Sequence, residues 1–199
     1  MRYNPRVMEG KRMIRILAGM IMTGVVFCFA GNWTQTYSPD ALEKALDIVR
    51  RIEEAGMEGS AAESRKVNVT EEVLNAYLAY RAELDGGPLK NLEVKLFPKN
   101  VIEGKLYIDL RGANPPKGLK PEMTFYFRSK IEIQEGKGRL DIKELFLEKQ
   151  QVEPLILDLA IFFMSKMQNT EASGISDWYL LPYGIKNIKT YKGWGEIYF

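Results

Sequence analysis

Apolar and polar residues alternate over most of the chain between residues 92 and 148, and this alternation constrains the fold more than any other feature. The apolar residues that share one parity are Leu92, Val94 and Leu96, then Ile102, Leu106, Ile108 and Leu110, then Met123, Phe125, Phe127, Ile131 and Ile133. A period of two predicts strands with one buried face. Turns at 98–100 and 135–138 separate the segments, as in antiparallel hairpins. The pattern therefore predicts an antiparallel sheet whose apolar face needs a cover.

Two further segments complete the predicted sheet. In the strand expected after the turn at 135–138, the apolar parity changes between Ile142 and Leu145, which indicates a β-bulge or a bend. Near the end of the chain, the segments 186–191 and 196–199 flank a glycine-containing turn and predict a closing hairpin. Together these patterns predict a bent antiparallel sheet of about five to six strands.

The segment 154–167 is the expected cover of that sheet. Ten of its fourteen residues are apolar, and they are spread around nearly the whole helix instead of following one stripe. A helix of this kind is buried on most sides or touches lipid. At about 21 Å it is too short to span a bilayer comfortably. The sequence therefore predicts an α+β fold in which a bent sheet wraps an apolar helix.

Two interpretations of this helix remain open. Burial of ten apolar side chains contributes roughly 15–30 kcal/mol as an upper bound, which is enough to explain the helix as part of a closed core. Alternatively, the sheet wraps the helix incompletely and leaves a groove for an acyl chain or another apolar ligand. The residues predicted to line that groove are Phe125, Phe127, Leu159, Phe162, Phe163 and Met164.

Two helices are predicted before the sheet. Ser38 is the expected N-cap of the first helix, which covers about 39–55. Thr70 is the expected N-cap of the second, and the turn at 85–88 ends it. A polar linker at 57–66 joins the two.

The first thirty residues are typical of an export signal. Residues 1–15 carry five basic side chains and one acid, and residues 16–30 form an uncharged apolar run. This order predicts a secretory signal peptide, and an apolar run extended to Trp33 would instead give an uncleaved signal anchor. We therefore divide the chain into a signal peptide or anchor at 1–30, an N-terminal helix and linker at 31–66, and a sheet domain at 67–199. We expect export to the periplasm or cell envelope of a bacterium.

The charge and the missing residue types exclude several functions. The chain has 28 basic and 26 acidic residues, but residues 31–199 have 23 and 25, a net charge of −2. This balance argues against a nucleic-acid partner. Residues 31–199 also contain neither Cys nor His, which excludes thiol and imidazole catalysis and the usual zinc sites. We expect no catalytic residues, no metal and no cofactor.

Few polar side chains remain as candidates for chemistry. Asp141, Glu144 and Glu148 lie along an alternating strand, where a solvated face explains them. Asp158 is the one acid in the apolar helix, and it either faces solvent or is partly buried and functional. Asn75 either hydrogen-bonds a neighbouring backbone or contacts a ligand.

A short motif at the start of the second helix resembles the T-E-x-x-L-N-x-Y-L opening of small bacterial envelope proteins related to the tubular lipid-binding (TULIP, BPI-like) superfamily. It consists of Val69-Thr70-Glu71-Glu72-Val73-Leu74-Asn75-Ala76-Tyr77-Leu78. The later order of hairpins, apolar helix and a Leu181-Pro182-x-Gly184-Ile185 segment is similar as well. The resemblance implies a strongly bent antiparallel sheet around a helix, and binding of lipid or other apolar molecules without catalysis. It implies no specific ligand residues.

Two functions agree with these features. The first is an exported, non-enzymatic envelope protein that binds lipid or another apolar molecule in a groove between sheet and helix. The alternative is a structural or interaction module of the envelope, which has an envelope protein as its partner and contacts the membrane through an uncleaved leader.

Overall fold

Three α-helices and nine β-strands occur in the part of the chain that the computed structural model describes, residues 37–57, 65–112, 115, 117, 119–168 and 174–199. Their order is α1 (Pro39–Met57), β1 (Lys66–Thr70), α2 (Glu71–Asp85), β2 (Leu89–Phe97), β3 (Val101–Asp109), β4 (Glu122–Gln134), β5 (Lys137–Leu147), β6 (Gln150–Gln151), α3 (Pro154–Met167), β7 (Tyr179–Leu180), a 3₁₀ turn (Pro182–Gly184), β8 (Asn187–Tyr191) and β9 (Trp194–Tyr198). The expected signal peptide or anchor at 1–30 lies outside the described residues, as does most of the linker expected at 57–66.

The main sheet is curled and antiparallel, so the predicted α+β class and antiparallel sheet are confirmed. Its strands follow the order β2-β3-β4-β5-β6, and β7 pairs with β5. Ser129 pairs with Ile142 and Arg128 with Glu144, which leaves Lys143 as an extra residue on β5. The change of apolar parity inside this strand is therefore a β-bulge, as the sequence predicted.

A second sheet of three strands has the order β1-β9-β8. Its hairpin of β8 and β9 was expected from the sequence, but its edge strand β1 was not. Val67 and Val69 of β1 are buried with Tyr77 of α2 and Ile52 of α1. The chain thus places a strand between its first two helices, where the sequence analysis expected only a linker and a helix cap.

The caps of α2 agree with the sequence. Thr70 has extended backbone angles, and its hydroxyl accepts a hydrogen bond from the Val73 N–H at 3.3 Å. Gly86 ends the helix in the left-handed conformation, with φ of 59°, which glycine adopts without steric cost. α1 runs two residues beyond the expected end at 55.

The larger core lies between the inner face of the main sheet and one face of α3. Ile108, Leu110 and Phe125 of the sheet side are fully buried, and they belong to the same cluster as Leu157 and Ala160 of α3. Most apolar positions of the alternating segments therefore share one covered face, as their period predicted.

Among the described residues, no helix is both long enough and apolar enough to cross a membrane.

Candidate functional site

The two faces of α3 differ in burial although both are apolar. Leu157, Ala160 and Ile161 are buried against the sheet. On the opposite side, Leu155, Leu159 and Phe162 are 71%, 38% and 47% exposed. These three residues are four and three positions apart, so they form one stripe along the helix. We call this stripe the outer face of α3.

The six residues predicted to line a groove are divided between these two sides. Phe125 and Phe127 are buried on the inner face of the sheet, and Phe163 and Met164 are half-buried against the same cluster. Leu159 and Phe162 belong to the outer face of α3, so they do not face the sheet. The structure therefore brings four of the six together and separates the other two.

A charged side chain follows the outer face at its C-terminal end. Lys166 continues the stripe by one turn, and its Nζ lies 5.2 Å from the centroid of the Phe162 ring. Met167, in the last turn of α3, is also exposed. The outer face of α3 is therefore an apolar stripe with a lysine ammonium group beside its last aromatic ring.

The end of α3 lies close to the end of α2. A β-carbon added to Gly87 would be only 2.5 Å from Nε2 of Gln168, the residue that follows α3. Tyr37, which precedes α1, donates a hydrogen bond from its hydroxyl to Glu83 of α2 at 3.2 Å. The described chain therefore begins at the same end of α2 at which α3 ends.

Asp158 has a structural contact in this arrangement. Its Oδ1 accepts a hydrogen bond from the N–H of Ile175 at 2.7 Å. The N–H of Gly174, one residue earlier, is bound at 2.7 Å by Oδ2 of Asp177. Asp158 thus fixes the chain that follows α3.

Two clefts open on the described surface. The larger, of about 630 Å³, lies where β5, β6 and the start of α3 meet. The smaller, of about 450 Å³, crosses strands β2 to β5 and reaches α2. Phe127, one of the six residues predicted to line a groove, contributes to its lining. Charged side chains such as Lys95, Glu103 and Arg128 line it as well, and they disfavour burial of an acyl chain there.

Glu196 is a buried carboxylate that the sequence analysis missed. It lies on the central strand of the three-stranded sheet and accepts hydrogen bonds from Lys66 Nζ at 2.8 Å, the Tyr198 hydroxyl at 2.5 Å and the Tyr191 hydroxyl at 3.2 Å. The lysine bond, followed by the Tyr198 bond, lowers the pKa of Glu196 to about 2. A single acid in the aromatic and apolar segment Trp194–Tyr198 was the available signal.

The other carboxylates considered in the sequence do not lie together in one cleft, although Glu144 lines the smaller cleft. Glu144 and Glu148 are exposed, and Glu148 pairs with Lys120 at 3.1 Å. Asp141 pairs with Lys143 at 2.5 Å, and this bond lowers the pKa of Asp141. Within the described residues, no three acidic, Cys or His side chains are close enough to hold a metal ion.

Asn75 closes the free edge of β2. Its Nδ2 donates to the Val94 carbonyl at 2.9 Å, and its Oδ1 accepts from the Val94 N–H at 2.8 Å. Glu71, one turn earlier, accepts from the N–H of Leu96 at 2.5 Å. The side chains of α2 therefore replace a neighbouring strand, which favours the structural reading of Asn75.

No family model, curated protein or solved structure matches the chain. The resemblance to the tubular lipid-binding superfamily therefore stays a prediction from the sequence.

Substitution of Glu196 tests the hydrogen bonds that its carboxylate accepts. Because its folded pKa of about 2 lies below the ordinary value of 4.5, its stabilising effect is complete above pH 4.5 and is lost as the pH falls toward 2. We expect Glu196→Gln to lower the urea midpoint at pH 7 and to lose that difference near pH 2. The exposed Glu144→Gln is the control, and an equal difference at both pH values would contradict the network.

Proposed function

We propose that this chain is an exported, non-enzymatic envelope protein that binds lipid, and that the main sheet wraps the inner face of α3 while the outer face of α3 contacts the lipid. The observation that carries the proposal is the exposure of Leu155, Leu159 and Phe162 along one stripe of a helix whose other side is already covered. Bulky apolar side chains gathered in one patch on the surface mark a contact with a partner or a membrane.

The form of the patch favours a bilayer surface. Leu155 and Phe162 are seven residues apart, so the stripe is about 10 Å long. A helix with such a stripe lies flat in the boundary between headgroups and acyl chains, with the stripe toward the acyl chains. Lys166 lies beside Phe162 and has a stem long enough to place its ammonium group among anionic headgroups.

The predicted leader favours the same partner. Six residues lie between Ala30, the end of the apolar run, and Tyr37, so seven peptide steps of extended chain join the two and reach about 25 Å at most. Tyr37 and the end of α3 both lie at the C-terminal end of α2. If the leader remains uncleaved, the bilayer is therefore near the end of α3.

The test is co-sedimentation with vesicles of phosphatidylethanolamine and phosphatidylglycerol, using the chain from residue 31 so that the leader does not contribute. We expect the triple variant Leu155→Ser, Leu159→Ser, Phe162→Ser to bind at least tenfold more weakly, because each lost apolar contact contributes about 1 kcal/mol or more. The matched control is Leu46→Ser with Leu84→Ser, since these residues of α1 and α2 are 41% and 50% exposed.

Three outcomes separate the alternatives. Equal loss in the triple variant and the control would show that any exposed apolar residue suffices, and would contradict the assignment to α3. Lipid that copurifies with the triple variant in native mass spectrometry would mean that the lipid binds on the sheet side of α3, where Phe163 and Met164 are half-buried. An unbound parent chain would overturn the lipid function itself.

A further inference from the structure

The outer edge of β5 is covered at both ends and open between them. At one end Phe146 and Leu147 pair with β6, and at the other Lys137 and Gly138 pair with β7. Among the described residues, no strand pairs with the stretch 139–145 from this side. The open stretch is about 20 Å long at the usual rise of a strand.

The hydrogen bonds at its two ends show which backbone groups point outward. Val152 N–H donates to the Leu145 carbonyl at 3.0 Å, and Leu181 N–H donates to the Gly136 carbonyl at 2.8 Å. Because backbone groups alternate along a strand and the bulge at Lys143 reverses that alternation, the N–H and C=O groups of Leu140 and Ile142 also point toward the open edge.

We propose that an extended peptide segment of a protein partner pairs with β5 between β6 and β7. Such a segment satisfies the outward N–H and C=O groups of Leu140 and Ile142 in the manner of an added strand. Lipid cannot do so, since its acyl chains neither donate nor accept hydrogen bonds. This site does not use the outer face of α3, so it goes beyond the lipid proposal and stands independently of it.

The larger cleft adds a pocket for one side chain of that segment. It is lined by Ile142, Lys143 and Leu145 of β5 and, across from them, by the segment Gln151-Val152-Glu153-Pro154. In strand addition the backbone supplies affinity and such pockets supply specificity.

The charges along β5 indicate which charged side chains the partner segment carries. Arg139, Asp141 and Lys143 alternate in sign on the face opposite the core. Arg139 also pairs with Glu132 at 2.7 Å, and Lys143 Nζ lies 2.5 Å from Asp141. A segment with an acid, a base and an acid at alternate positions matches this order in either direction. A second copy of β5 centred on Asp141 would place Arg139 opposite Lys143, so the charges disfavour self-pairing.

The probe is the synthetic peptide acetyl-VEVKVEV-amide, titrated into the full chain. We expect saturable binding, with amide hydrogen exchange slowed at least tenfold at Leu140 and Ile142. The same peptide with N-methyl groups on the amides of one edge keeps its side chains but cannot donate there, and we expect it to bind at least tenfold more weakly. The exposed substitution Lys143→Glu should weaken binding of the unmodified peptide several-fold, while Lys149→Glu, outside the open stretch, should not.

Other results would overturn the proposal. Equal affinity for the N-methylated peptide would mean that the side chains bind without strand pairing. Absence of binding, or slowed exchange confined to residues outside 139–145, would remove the site. A concentration-dependent dimer with slowed exchange at Ile142 would show that a second copy occupies the edge. None of these results depends on vesicle binding, so they leave the lipid proposal unaffected.

Discussion

Replacing Phe125 with alanine is expected to destabilise the fold by about 3–5 kcal/mol, whereas the same change at Phe162 is expected to cost less than about 1 kcal/mol. Phe125 is fully buried, and Phe162 is 47% exposed. Truncation of a buried ring removes its transfer free energy and also leaves a cavity. At Phe162 much of the ring is already in contact with water, so far less is lost.

The pair tests how the apolar residues of the predicted groove divide between core and surface. The measurement is urea unfolding of both variants, followed by circular dichroism and by tryptophan fluorescence so that two-state behaviour can be checked. Similar losses for both variants would mean that α3 is covered on both sides. A small loss for Phe125→Ala would mean that the sheet side is loosely packed, and would favour the internal groove.

Local chemistry made several features predictable from the sequence. A threonine hydroxyl that caps a helix acts within three residues, as Thr70 does with Val73. A glycine that ends a helix needs only its own backbone freedom, as at Gly86. The bulge at Lys143 was visible because it reverses the apolar parity of one strand. Each of these features depends on residues that are close together along the chain.

The features that escaped prediction depend on distant partners. β1 has five residues and pairs with β9, so that Lys66 lies opposite Tyr198. No local pattern distinguishes such a short strand from the entry to a helix. The buried carboxylate of Glu196 is stabilised by a hydrogen bond from Lys66, which lies 130 positions away in the sequence. Side chains of this kind acquire their role only when the sheets assemble.

The sequence also did not predict which side of α3 is buried. Because ten of its fourteen residues are apolar, the helix has no polar face that would indicate which side is buried. The sheet covers one side, and the other side is left exposed without any change in residue type. The surface proposed to contact lipid was therefore present in the sequence but could not be separated from the core.

Asn75→Leu is expected to cost about 2–4 kcal/mol, because the N–H and C=O of Val94 each lose a partner and a buried unpaired group costs about 1–3 kcal/mol. Both hydrogen bonds have ordinary lengths, 2.8 and 2.9 Å. Leucine has the same number of side-chain heavy atoms as asparagine and branches at the same carbon, so the change removes the hydrogen bonds while a side chain of the same shape remains on α2. The measurement is the free energy of unfolding in urea, together with hydrogen exchange at the Val94 amide.

The matched control is Asn68→Leu, since Asn68 is exposed on β1 and should lose little stability. Equal losses for the two variants would mean that the cost comes from leucine itself and not from the edge of β2.

The two edges of the main sheet differ in how their backbone groups are paired. α2 closes the edge of β2 with side chains, while the middle of β5 is left open. If Asn75→Leu also lets the alternating peptide slow exchange at Val94, then an unpaired edge is sufficient for strand addition in this protein, and Asn75 is the residue that restricts the addition to β5.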